Sequence, residues 1–198
     1  MSRSLHIAAW SYVTACAVGV AVVTLWRAEP HATEPHLTPV AAVAPAASTA
    51  EGWFQEVKPF CNAVEVEVQL RHRPAPVGVA GAGYSAACYA LAGRIELARG
   101  VIDALAANER LQAVGIVFNV AHPVADAGDD RSAGPIMQMV VDYWPNHYMA
   151  LYHAGMSEYI LGQPDLARKH LESFLQYYSP NDGWRQNALE VLGRLGRP

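Results

Sequence analysis

A chain of 198 residues, of which 52% are hydrophobic and 16% charged, is long enough for one packed domain and a separate apolar segment. Eighteen acidic residues against 14 Lys and Arg give a formal net charge of −4, and no basic cluster occurs, so nucleic acid is not an expected partner. The sequence has no Cys-x-x-Cys motif and no Cys/His array with zinc-finger spacing, which excludes attached haem and a classical structural zinc site.

The N-terminal part of the chain carries one long uncharged run. Residues 1–6 form a short tail, and residues 7–26 (IAAWSYVTACAVGVAVVTLW) contain no charge over a length sufficient for a membrane-spanning helix. Trp10 and Trp26 lie near the two ends of the run, as interfacial anchors do. The run predicts a transmembrane anchor, with a cleaved signal peptide as the alternative. Either interpretation predicts a domain outside the cytoplasm, membrane-anchored and periplasmic or extracellular.

A proline- and alanine-rich segment, residues 27–50, follows the apolar run. Pro30, Pro35, Pro39 and Pro45 oppose regular helix and favour extended backbone, so this segment is predicted to be a linker. The folded domain is therefore expected over residues 51–198.

The domain contains two cysteines, Cys61 and Cys88. In an oxidising compartment such a pair predicts one disulfide, and two buried thiols are the alternative. Near Cys61, the residues Val64, Val66, Val68 and Leu70 alternate with polar residues, a pattern typical of a strand. Since a lone strand would find no partner in a helical domain, we expect helix across residues 53–71.

A helical hairpin is clearest over residues 149–180, where an apolar helical pattern stops at Gly162 and restarts after Pro164. The turn glycine has counterparts at Gly93 and Gly128, at spacings of 35 and 34 residues. Four further columns keep the same period: Ala86, Ala121 and Gly155; Ala98, Ala133 and Ala167; Ile102, Met137 and Leu171; Leu105, Val140 and Phe174. Small residues in such columns let paired helices approach closely, so the period predicts three packed hairpins.

This pattern resembles the tetratricopeptide repeat, whose period is about 34 residues. The aromatic residue of the family pattern is present as Tyr89 but is replaced by Val124 and Glu158 in the later copies. The resemblance implies an all-α, tetratricopeptide-like solenoid of about three repeats (79–112, 114–147 and 148–181). Apolar residues at helical spacing after Gly183 predict a capping helix at 182–195, and the uncharged run predicts a single N-terminal transmembrane helix before the domain. The resemblance also implies a binding groove lined by the first helix of each hairpin.

The stretch AHPVADAGDDRSAGP, residues 121–135, has the composition of a chemical site. Because Gly128 is in phase with the other turn glycines, Asp129 and Asp130 are expected to cap a second helix, with Pro135 in its first turn. His122 and Asp126 stand four residues apart on the first helix. They are interpreted as a hydrogen-bonded pair, a partner contact or, without a third firm ligand, a weak metal pair.

The predicted function is protein–protein interaction by a membrane-tethered module, for example as an accessory or assembly subunit of a membrane complex. A small-molecule- or metal-binding envelope protein that uses His122, Asp126 and an aromatic patch is the alternative. No catalytic residue, metal or cofactor is predicted, because no nucleophile–base pair or phosphate-binding loop stands out. The register of the resemblance implies these groove residues for a protein or peptide partner, some of which could instead be core residues: Phe118, His122, Asp126, Met149, Tyr152, Met156 and Tyr159.

Overall fold

The computed structural model describes residues 49–196, so the predicted tail, apolar run and most of the linker lie outside the described residues. The described part contains nine α-helices and no strand. Within it, no helix combines the length and apolar character needed to cross a bilayer. The helices are α1 (Ala50–Val57), α2 (Val66–His72), α3 (Val79–Leu91), α4 (Ile95–Asp103), α5 (Ala107–Asp126), α6 (Asp130–Tyr143), α7 (Tyr148–Ile160), α8 (Pro164–Tyr177) and α9 (Gly183–Leu195).

The three predicted hairpins are α3/α4, α5/α6 and α7/α8, and each turns at its predicted glycine. Gly93, Gly128 and Gly162 have φ values of 72°, 88° and 71°, where a Cβ would be strained. In every turn the amide after the glycine donates to a carbonyl five residues earlier, as in Arg94 N to Tyr89 O at 2.9 Å. This is a Schellman motif, so one local device ends all three first helices.

The periodic columns form the contacts within and between these hairpins. The turn glycines are exposed, and the members of the other four columns are buried except Leu105, which is partly buried. Small residues are required where helices cross: a Cβ on Gly155 would lie 2.8 Å from Leu171 Cγ on the paired helix. The column residues Ile102, Met137 and Leu171 are fully buried and fill the space beside those crossings.

The N-terminal segment is helical, so the strand alternative is wrong for residues 60–71. Helix α1 passes into a 3₁₀ turn over Lys58–Phe60, and α2 starts after a further turn. Val66 and Leu70 are buried, whereas Val64 and Val68 are 87% and 48% exposed. The alternating pattern was misleading because its buried members are four residues apart, which is one helical turn.

A disulfide joins the segment between α1 and α2 to helix α3, which confirms the predicted pair. The sulfur atoms of Cys61 and Cys88 are 2.00 Å apart. On the same side, the Trp53 indole donates to the Arg73 carbonyl at 3.1 Å. The bond and the indole contact together hold α1 and α2 against the first hairpin.

The predicted capping helix is α9. Asp182 begins it, since its carboxylate accepts from the amides of Trp184 at 3.1 Å and Arg185 at 3.3 Å. Ala188 and Val191 bury their side chains against the preceding helices. The hairpin stack therefore ends in a helix with one apolar and one polar face.

Candidate functional site

Helix α5 is the element around which the candidate sites are arranged, because it presents side chains in several directions. One stripe, including Ala113, Val117 and Ala121, is buried in the core. A second stripe of Phe118, His122 and Asp126 lies beside residues of α7. A third, partly buried stripe is apolar and lines a cavity toward α1 and α3.

The second stripe meets α7 in a cluster of titratable side chains, His122, Asp126, Asp130 and His153, which we call the His–Asp cluster. Asp126 Oδ1 lies 3.3 Å from His122 Nε2 and 3.4 Å from His153 Nε2. Despite these short distances, neither Nε2 atom has a hydrogen-bond partner among the described residues, and both are buried. Such unpartnered buried polar atoms are rare in folded proteins.

The opposite edge of the His153 ring is fixed by Asp130, whose Oδ1 lies 3.0 Å from His153 Nδ1. Because an ionised carboxylate can only accept a hydrogen bond, His153 Nδ1 is the protonated nitrogen and donates to Asp130. Asp129 and Asp130 both lie at the start of α6, as predicted, but the amide cap is formed by Asp129. Asp129 caps the helix through Ser132 N at 3.1 Å, whereas Asp130 faces α7.

Pro135 also departs from its predicted position. It lies in the second turn of α6 rather than the first, because the helix begins at Asp130, directly after its cap. The other proline of the stretch, Pro123, lies within α5 between His122 and Asp126 and does not end the helix.

Aromatic rings enclose the His–Asp cluster. Phe118 stacks on His122 with ring centroids 4.6 Å apart, and it also contacts His147 at 4.1 Å. Trp184 of α9 packs edge-on against His153 at 5.7 Å. Burial lowers the pKa of His122, although the Asp126 carboxylate acts in the opposite direction. Burial also lowers the pKa of His147, and the nearby His122 adds to the effect.

Two of the four predicted groove residues on α7, Tyr152 and Met156, contact Asn187 of the capping helix. Tyr152 is only 4% exposed, and its hydroxyl accepts from Asn187 Nδ2 at 2.5 Å. The same amide lies 3.9 Å from Met156 Sδ. Met149 and Tyr159 are partly buried against the core. This half of the predicted groove thus packs largely against the chain itself. Of the seven predicted groove residues, His122 and Asp126 belong to the His–Asp cluster, and Phe118 and Tyr152 contact its imidazole rings.

A cavity of about 750 Å³ lies on the other side of α5, and none of the seven predicted groove residues lines it. We call it the α1–α3–α5 cavity. Its apolar lining includes Phe54, Tyr84, Leu91, Ile116, Val120 and Val124, and its polar lining includes Glu51, Lys58, Asn119 and Asp129.

One position of the repeat contributes residues to both the α1–α3–α5 cavity and the His–Asp cluster. Tyr84, Asn119 and His153 each stand nine residues before a turn glycine. In the structure Tyr84 contacts Phe54 of α1, Asn119 lines the cavity, and His153 meets α5. This column therefore faces the preceding helix layer, and its polar or aromatic members could have marked the site.

No protein-family model, curated protein or solved structure gives a significant match to this chain. The function must therefore be argued from the geometry of the two sites.

Proposed function

We propose that this chain is a membrane-tethered, tetratricopeptide-like interaction module whose α1–α3–α5 cavity holds an apolar segment of a protein partner. Three hairpins at a 34–35-residue period, each closed by the same glycine motif, support the repeat assignment. Repeat arrays of this kind are suited to binding extended partners, because their first helices stack into one continuous surface.

The size of the cavity is the observation that carries the proposal. Its volume of about 750 Å³ is in the range of ligand sites. Along α5 and its C-terminal cap the lining runs from Ile116 to Ala127. At about 1.5 Å per residue this is about 16 Å, which matches about five residues of an extended peptide.

The lining favours an apolar segment over a charged one. Apolar side chains from three helices line the cavity, whereas the charged side chains Glu51, Lys58 and Asp129 nearly cancel one another. Recognition would therefore depend on shape and on burial of apolar area rather than on a strong field.

The disulfide supports export of the domain. Such bonds persist in oxidising compartments and are rare in the cytosol. Together with the uncharged run at residues 7–26, it supports a domain held outside the cytoplasm on a membrane anchor. A scaffold or assembly subunit of a membrane complex fits both features.

Site-specific photo-crosslinking in native membranes tests this proposal. A photoreactive amino acid replaces Asn119, which is exposed and lines the cavity, or Glu172, an exposed residue of α8 that does not. We expect one discrete crosslinked protein from position 119 and none from position 172. The added change Val124→Glu should abolish the crosslink, because it places a charge in the apolar lining.

Circular dichroism of the Val124→Glu protein provides the control for folding, since Val124 is only partly buried. Equal crosslinking from positions 119 and 172, or a crosslink that persists in the folded Val124→Glu protein, would rule out the cavity as the binding site.

A further inference from the structure

We propose that His122, Asp126 and His153 form a binding site for a borderline divalent transition-metal ion, with Zn²⁺ as the representative ion. The site is separate from the α1–α3–α5 cavity, so it goes beyond the interaction function and fails or holds independently of it.

The three candidate ligand atoms lie at distances from one another that suit a shared metal ion. His122 Nε2, His153 Nε2 and one Asp126 carboxylate oxygen all lie within 4.8 Å of one another. With metal–ligand bonds of about 2.0–2.2 Å, two ligands of a tetrahedral ion are about 3.4 Å apart. The two distances from Asp126 Oδ1, 3.3 and 3.4 Å, match this spacing.

The two unpartnered histidine nitrogen atoms also indicate a ligand between them. The side chain of His153 is 2% exposed, and its Nε2 atom is directed into the cluster without a hydrogen-bond partner among the described residues. His122 Nε2 is likewise buried and has no hydrogen-bond partner among those residues. A cation placed between them would give both nitrogen atoms a partner and offset the charge of the Asp126 carboxylate.

The hydrogen bond between His153 and Asp130 supports the same conclusion. Because Asp130 accepts a hydrogen bond at Nδ1, the neutral ring presents the Nε2 lone pair to the cluster. A carboxylate behind a histidine ligand is the usual outer-shell arrangement of protein zinc sites, where it orients the ring and raises its basicity.

The ligands are also held on two rigid helices. His122 and Asp126 are one turn apart on α5, and His153 is on α7, so a bound ion would link the second hairpin to the third. Phe118 and Trp184 restrict the two imidazole rings from either side. The exposed fraction of Asp126, 41%, leaves solvent access for a fourth ligand.

The donor set selects the class of ion. Two imidazoles and one carboxylate suit Zn²⁺, Co²⁺ and similar first-row ions. Ca²⁺ requires six to eight oxygen ligands and Mg²⁺ a largely oxygen octahedron, which two nitrogen donors and one carboxylate do not provide.

Isothermal titration calorimetry with Zn²⁺ tests the site in the full-length protein, purified without a polyhistidine tag and stripped with a chelator. The chain has eight histidines, so the informative quantity is the difference between variants. We expect the wild type to bind one Zn²⁺ more per chain than His122→Ala. Asp126→Asn should lose at least about tenfold in affinity, and Asp130→Asn about 10–100-fold.

Asp165→Asn is the matched control, because Asp165 is an exposed acidic residue in the first turn of α8. It should bind Zn²⁺ as the wild type does. Co²⁺ gives a second readout, since its visible d–d bands with the wild type should be lost in His122→Ala. Equal stoichiometry and affinity in wild type and His122→Ala would overturn the proposal, as would unchanged affinity in Asp126→Asn. Circular dichroism verifies that His122→Ala and Asp126→Asn fold, which is expected because both residues are partly exposed.

Discussion

Replacement of Gly134 by alanine should destabilise the protein, although alanine is the better helix former. Gly134 lies on α6, where a Cβ would lie 1.9 Å from Ser157 Oγ and 2.4 Å from Ser157 Cβ on α7. Ordinary contact starts near 3.4 Å, so the helices must separate by about 1 Å. Separation would open space beside the buried Met137 and Leu151.

The change in the free energy of unfolding expected for Gly134→Ala is the sum of two opposing effects. Overpacking costs about 1–3 kcal/mol, and the upper half applies because a Cβ cannot rotate away. Helix propensity returns about 1 kcal/mol, which leaves a net loss of about 1–2 kcal/mol in the free energy of unfolding. Gly115→Ala is the matched control: Gly115 lies inside α5 with nothing within 4 Å of the added Cβ. That change should stabilise the protein by about 0.5–1 kcal/mol.

Urea unfolding followed by circular dichroism measures both changes, and Tm should shift by about 2–4 °C per kcal/mol. The double variant Gly134→Ala/Ser157→Gly moves the Cβ from one helix to the other, so it should recover about 1–2 kcal/mol relative to additivity. The reasoning is refuted if Gly134→Ala stabilises as Gly115→Ala does, or if the double variant shows no coupling.

Three further changes probe other parts of the chain. Cys88→Ser removes the disulfide across a sequence separation of 27 residues, which should lower the free energy of unfolding by about 3–4 kcal/mol; reductant should destabilise the wild type equally and the variant not at all. Gly162→Ala forces a Cβ onto a residue with φ of 71° and should cost about 1–2 kcal/mol, whereas Gly100→Ala inside α4 should stabilise the protein by about 0.5–1 kcal/mol, as Gly115→Ala does. The hydrogen bond to Asp182 raises the pKa of Tyr178 to about 12, so folding is favoured by this group below its ordinary pKa of 10.0 and the contribution is lost as pH rises through about 12. Ultraviolet titration should show one tyrosine fewer at high pKa in Asp182→Asn, and no such difference would contradict the assignment.

The hairpin stack was predictable from the sequence because its packing leaves a periodic trace. Turn glycines need positive φ, and crossing points need small side chains, so Gly93, Gly128 and Gly162 stand in register with the small residues of the columns. The N-terminal helices were harder to delimit. A 3₁₀ turn and a non-helical stretch at residues 61–65 lie between them, and the one-turn spacing of Val66 and Leu70 resembles strand alternation over a short window.

The sites were only partly predictable, because each combines residues from different helix layers. His122 and Asp126 are one turn apart and were found as a pair. Their third neighbour, His153, follows 27 residues after Asp126, and its approach depends on how the third hairpin packs against the second. The α1–α3–α5 cavity depends on the placement of α1, which the disulfide holds and which no repeat column predicts.

A crosslinking scan along α5 tests the central claim, that the cavity is the surface where a partner binds, most directly. A photoreactive residue at Asn119 on α5 or at Ala127, directly after α5, lies in the cavity lining, and one at Glu109 or Gln112 lies on α5 outside it. We predict that positions 119 and 127 capture the same protein in native membranes and that positions 109 and 112 capture none. Capture from positions 109 and 112 alone, or equally from all four, would contradict the account.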